Sequence, residues 1–172
     1  ALRAIVRHGR VPFVAAPPTG TLTTRIPVPG ALPGQTLELV LRIPATYSHT
    51  SAWPLVISLH GTLGKGGPYL RHWQGLPAAT LDQAIILAPS AEPGHGWGPT
   101  TYGRAQVWAA VEWVADRWRI DPDRVVLEGM SMGGAACKRL GAVWPDRLAA
   151  CVPRAGPPLR ELHDRTYRNL RS

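Results

Sequence analysis

The sequence holds only two lysines against seventeen arginines, and it has two cysteines, two methionines and a single phenylalanine in 172 residues. Two cysteines are too few for a disulfide framework, and Cys137 and Cys151 lack the paired spacing of a zinc site. They read as two buried thiols, with a single disulfide as the alternative. No apolar run reaches 18 residues, which excludes a membrane-spanning helix. There is no internal repeat and no low-complexity tract. Charged residues are scarce at 17% while hydrophobic ones make up 45%, a balance that excludes a polar disordered chain. A chain of this length forms one domain and buries about 70% of its extended surface without staples.

What is abundant is positive charge, a formal +8. Its location matters more than its size. Arg3, Arg7 and Arg10 stand in the first 12 residues without an acid, and residues 154–172 carry five arginines against Glu161 and Asp164. The body between is nearly neutral, with eleven bases and nine acids. A nucleic-acid binder concentrates its bases on one face of the folded body, with aromatics interleaved. This distribution argues against nucleic acid as a partner. The short VPFVAAPP run after the first arginines is interrupted by prolines, which does not fit a secretory signal. The compartment is open.

Residues 1–20 read as an irregular lead-in. The β-rich runs TLTTRIPV (21–28) and TLELVLRI (36–43), separated by Pro-Gly turns, form a strand pair. From there the pattern changes. PLVISL (54–59), AIILA (84–88), RVVL (124–127) and LAACV (148–152) are short apolar runs, as expected of strands buried on both faces of a parallel sheet. Between them, 103–119 is a helix whose stripe is Val107, Val111, Val114 and Trp118, and 131–144 is a second helix. Strand and helix alternating at this spacing mean right-handed crossovers and a three-layer α/β fold.

The chemistry lies in RVVLEGMSMGG (124–134). Gly129-Met130-Ser131-Met132-Gly133 fits G-x-S-x-G, a weak pattern alone but a strong one between a strand and a helix. A nucleophile there stands clear of the sheet edge on a tight turn that only small neighbours permit. The helix start adds a positive dipole end near a developing oxyanion. A second element, His60-Gly61-Thr62, ends the first apolar run. Acyl transfer needs two backbone N–H donors on the oxyanion, and the pattern points to those of Met132 and Thr62. His60 precedes the nucleophile in the chain and reads as a structural histidine rather than the base.

The segments WPLVISLHG (53–61), AIILAPS (84–90), IDPDRVVLEGMSMGG (120–134) and WPDRLAACVPRAG (144–156) resemble the α/β-hydrolase superfamily. They are most similar to the group of polyhydroxybutyrate depolymerases, feruloyl esterases and esterase D-like enzymes. The resemblance implies Ser131 as nucleophile, Thr62 and Met132 as the oxyanion hole, and Trp97 lining the substrate pocket. For Trp97 an ordinary loop anchor is the other reading. It implies no cofactor and no metal, and an ester substrate, small or polymeric. Such enzymes carry their Asp and His on loops after two further strands. After Ser131 this chain has only Asp146, His163 and Asp164, and no strand runs to carry them. His8, His49, His72 and His95 are scattered, His95 being the one beside Trp97.

The expected architecture is therefore a three-layer α/β-hydrolase-type sheet, mostly parallel and C-terminally truncated. Residues 21–156 would form the partial domain and 157–172 an Arg-rich tail unlike the family. The expected function is serine carboxylic-ester hydrolysis, impaired by the missing Asp and His. The alternatives are a non-catalytic remnant or partner-dependent pseudo-enzyme, and an acyltransferase or serine peptidase on the same scaffold. In a remnant, the last expected strand would sit at an exposed sheet edge whose apolar LAACV run invites self-association.

Overall fold

A computed structural model describes residues 18–91, 96–97 and 101–158. The expected lead-in and Arg-rich tail thus lie almost wholly outside the described residues. Six strands form one sheet: β1 (Gly20–Pro27), β2 (Thr36–Ile43), β3 (Trp53–Leu59), β4 (Ile85–Ser90), β5 (Ile120–Met130) and β6 (Ala150–Arg154). Their spatial order is β1-β2-β4-β3-β5-β6. β1 and β2 are antiparallel, as are β2 and β4, whereas β4, β3, β5 and β6 run parallel. The helices are α1 (Gly66–Gln74), α2 (Ala78–Leu81), α3 (Thr101–Ala115) and α4 (Met132–Val143).

Alternation along the central strands separates two cores. Ile85 and Leu87 of β4 point to one face, where they join Leu55, Ile57, Val125 and Leu127 under α3 and α4. Ile86 and Ala88 point to the other face, with Val40 and with Leu70 and Leu81 of α1 and α2. Helices on both faces make this a three-layer α/β fold. The stripe read from the sequence is in place: Val107, Val111, Val114 and Trp118 are all buried under the sheet.

Three expectations shift. α3 ends at Ala115 rather than at residue 119, because Arg117 and Trp118 both return their N–H groups to the Val114 carbonyl in a tightened last turn. β5 begins earlier than expected, since Ile120 pairs with Trp53 across a register shift before Leu55. Asp121 then absorbs the irregularity, accepting the Asp123 N–H at 3.0 Å and pairing with Arg124 at 2.7 Å. β6 was expected to be buried on both faces. Among the described residues it pairs only with β5, and Ala150, Val152, Pro153 and Arg154 are exposed.

Candidate active site

Ser131 lies between the end of β5 and the start of α4 at φ 54° and ψ −112°. For a non-glycine residue that conformation stores about 1–3 kcal/mol of strain and persists only where the surroundings hold it. Serine in front of a helix ordinarily caps it with its hydroxyl. Ser131 makes no such capping bond, and the residue is exposed. Its backbone is held at both ends: the N–H donates to the Arg154 carbonyl at 2.9 Å, and its own carbonyl accepts the Ala135 N–H at 2.9 Å. The turn closes because two neighbours have no side chain. A Cβ on Gly133 would lie 2.1 Å from the Leu59 oxygen, and one on Gly129 would lie 2.6 Å from the Gly133 carbonyl.

The loop after β3 comes up against this turn. A Cβ on Gly61 would stand 3.3 Å from the Ser131 Cβ and 3.9 Å from its Oγ. The Gly64 N–H returns to the Gly61 carbonyl at 3.1 Å, a turn that carries Thr62 and holds Leu63 at φ 61°. Thr62 is therefore exposed one residue beyond the contact with Ser131. Met132 opens α4, so its N–H belongs to the helix-start donors that have no intrahelical acceptor. Ser131, Met132 and the Thr62 turn thus meet at one end of the sheet.

His60 and Trp97 are both buried behind that turn. His60 is 3% exposed, with Nε2 accepting the Ala91 N–H at 3.0 Å and Nδ1–H donating to the Gly61 carbonyl at 2.6 Å. This pairing fixes the neutral tautomer. Burial lowers its pKa below the usual histidine value, partly opposed by the Gly61 bond. Between the lowered folded pKa and about 6.5 the unfolded chain binds more protons than the native one, so stability is present above about pH 6.5 and falls as the pH drops below it. Urea midpoints at pH 8 and pH 5 should show this loss, and His60→Gln should flatten it. Trp97 is fully buried; its N–H donates to the His60 carbonyl at 2.9 Å and its ring meets the imidazole edge-on at 4.9 Å. In this position it anchors the loop and presents no surface to a ligand.

The remaining candidates among the described residues are not brought to Ser131. Asp146 sits in a 3₁₀ turn, Pro145–Arg147, beyond the far end of α4. The helix rises about 1.5 Å per residue, so its twelve residues separate the two by about 18 Å. His49 precedes β3 and so lies at the opposite end of the sheet, while His72 lies edge-on to Tyr69 on α1. His8, His95, His163 and Asp164 fall outside the described residues. Among the described residues, no group of three or more His, Cys, Asp or Glu could hold a metal ion, and no helix is long and apolar enough to cross a membrane.

This arrangement has close structural parallels. A thermostable esterase superimposes with a TM-score of 0.69 at 22% identity, covering 81% of this chain and 41% of its own. The chain has the α/β-hydrolase fold. An S-formylglutathione hydrolase from Staphylococcus aureus gives 0.62 at 18% identity over 80% of this chain and 56% of its own. A ferulic acid esterase from Anaeromyces mucronatus gives 0.58 at 18% over 85% and 61%. In sequence, feruloyl esterase B of Piromyces equi is 25% identical over 135 residues, 74% of this chain but 25% of the esterase. No family model matches the chain. The chain therefore spans a quarter of that relative and between 41% and 61% of these structures.

Sequence reasoning missed a buried polar cluster in this α/β-hydrolase sheet. Glu128, three residues before Ser131, is 3% exposed. It accepts the Ser58 hydroxyl on Oε1. On Oε2 it accepts the Tyr69 hydroxyl at 3.3 Å and Arg154 Nε and Nη2 at 3.2 and 3.0 Å. Arg154 Nη2 also donates to the Tyr69 oxygen at 2.7 Å, and Trp73 Nε1 donates to Ser58 Oγ at 2.9 Å. Burial, with the neighbouring Glu128 charge, pushes the Tyr69 hydroxyl up to about 12. The one signal in the sequence was an acid inside the apolar RVVLEGM run.

Proposed function

We propose that this chain carries the nucleophile and oxyanion part of a serine carboxylic-ester hydrolase. One observation supports the reading: Ser131 is an exposed residue on a strained strand-to-helix turn, and its hydroxyl does not cap the helix that follows. Ser131 Oγ attacks the acyl carbon, and the oxygen that becomes negative is held by the N–H groups of Met132 and Thr62. A histidine from outside the described residues would take the Ser131 proton and pass it to the alcohol as the C–O bond breaks, and water would then release the acyl group from the serine by the same route. Trp97 serves the site through His60, by holding the loop from which Thr62 projects. The esterase relatives support ester chemistry on this scaffold.

A second reading, a scaffold without its own turnover, is favoured by the engagement of both His60 nitrogens with backbone groups. In that case the serine has no base among the described residues, and only weak oxyanion-hole catalysis is left. Labelling with a fluorophosphonate probe, read by intact mass and peptide mapping, tests the nucleophile directly. The expected result is one adduct on Ser131, absent from Ser131→Ala at an unchanged unfolding midpoint. Turnover of p-nitrophenyl acetate then separates an enzyme from a scaffold. Absence of any adduct, or equal labelling of Ser131→Ala, would overturn the proposal.

A further inference from the structure

We infer that Arg154 is a positioning residue for Ser131, acting through Glu128 and Tyr69; the inference rests on the reading of Ser131 as nucleophile. Among the described residues three non-glycine residues have positive φ: Leu63, Ser131 and Ala155. Two of these flank a single hydrogen bond, from the Ser131 N–H to the Arg154 carbonyl. The strained serine is thus held from β6, at a point where β6 itself makes a sharp turn.

β6 is poorly equipped to hold anything by its main chain. It has five residues, it pairs only with β5 among the described residues, and Pro153, opposite Gly129, has no N–H to give. What fixes its end is the Arg154 side chain. The guanidinium places two N–H groups on Glu128 Oε2 and one on the Tyr69 oxygen. Glu128 belongs to β5, directly below the Ser131 turn, and Tyr69 belongs to α1, which begins at Gly66 just after the Thr62 turn. One guanidinium therefore ties together the segments that carry the nucleophile, the Thr62 turn and the carbonyl holding Ser131. Beyond it the chain closes onto α4: a Cβ on Gly156 would lie 2.5 Å from the Gly134 carbonyl carbon, and Lys138 Nζ donates to the Gly156 carbonyl at 2.6 Å.

A merely structural ion pair would change how much protein is folded. A positioning residue changes what each folded molecule does. If the end of β6 loosens, the Ser131 backbone relaxes toward an ordinary conformation and its Oγ leaves the position that the strained turn gives it, while reversible probe binding is untouched. Removing the half-exposed Arg154 alone would leave the buried Glu128 carboxylate without its cation, so the informative variant changes both: Arg154→Met with Glu128→Gln.

The experiment is saturation kinetics of fluorophosphonate labelling, normalised to the folded fraction measured by urea unfolding. For the double variant the maximal labelling rate should fall about tenfold to hundredfold, the range that release of such backbone strain corresponds to. The half-saturating probe concentration should stay at the wild-type value. Arg154→Lys should restore part of the rate, and Tyr69→Phe should lower it less than the double variant. A folded double variant with the wild-type maximal rate overturns the inference and leaves Ser131 as nucleophile. Should the double variant not fold, wild-type rates in both Arg154→Lys and Tyr69→Phe overturn it equally. Wild-type protein that takes no label overturns the nucleophile reading itself, and this inference with it.

Discussion

Replacing Ser131 by glycine is expected to raise the midpoint of thermal unfolding and, in the same molecule, to abolish fluorophosphonate labelling. The serine holds φ 54° and ψ −112°, a region that a residue without Cβ enters freely. Relief of about 1–3 kcal/mol of strain is set against about 0.4–1 kcal/mol of extra freedom in the unfolded chain. The net gain of about 1 kcal/mol corresponds to about 2–4 °C for a chain of this size. Little packing is lost, since the residue is exposed and its hydroxyl caps nothing. The two readouts separate function from fold: a drop in the midpoint would mean that Ser131 is held there for stability, and the case for stored strain at a nucleophile would fail.

Removing a glycine two residues later should do the reverse. Gly133→Ala is expected to cost upwards of about 3 kcal/mol, at the severe end of overpacking, and to leave the protein largely insoluble. The new Cβ would meet the Leu59 oxygen at 2.1 Å, the Leu59 carbonyl carbon at 2.7 Å and the His60 oxygen at 3.0 Å. All three are backbone atoms at the end of β3, a strand clamped between β4 and β5, so no side-chain rotation relieves the clash. Gly75 supplies the control, because a Cβ there meets nothing within 4 Å and Gly75→Ala should unfold like the wild type. Urea unfolding of the soluble fraction decides the matter. A Gly133→Ala protein within about 1 kcal/mol of the parent would show that the β3–α4 contact yields more easily than the geometry allows.

The two predictions mark what could be read from residues alone. The central strands were legible because burial on both faces demands uninterrupted apolar runs, and 54–59 and 84–88 fall within a residue or two of β3 and β4. The Ser131 turn was legible because small residues at 129 and 133 have few other uses between a strand and a helix. α1 and α2 were not legible: GGPYLRHWQ and AATL carry no sustained apolar stripe, and their position is set by packing of Leu70 and Leu81 onto Val40 and Ile86. The exposure of β6 was hidden for a related reason, since LAACV reads as an interior strand whatever pairs beside it. Arg154 looked like one more arginine in a basic segment, and only the sheet register, which sets Met130 against it, brings it to the serine. Trp97 shows the limit of reading a residue type. An indole near the site suggests a pocket wall, yet its N–H is bound to the His60 carbonyl and its ring is wholly enclosed.

The bond from the Ser131 N–H to the Arg154 carbonyl spans 23 positions of the chain, and this sets an order of events during synthesis. While the ribosome adds those residues, at about 5–20 per second, the serine has already emerged ahead of the residue that holds it. For that interval of about one to five seconds it is an ordinary serine on an unfinished turn. Its strained backbone geometry arrives only when β6 docks, so a nascent chain stalled before residue 154 exposes the G-x-S-x-G sequence without yet holding the serine in that conformation.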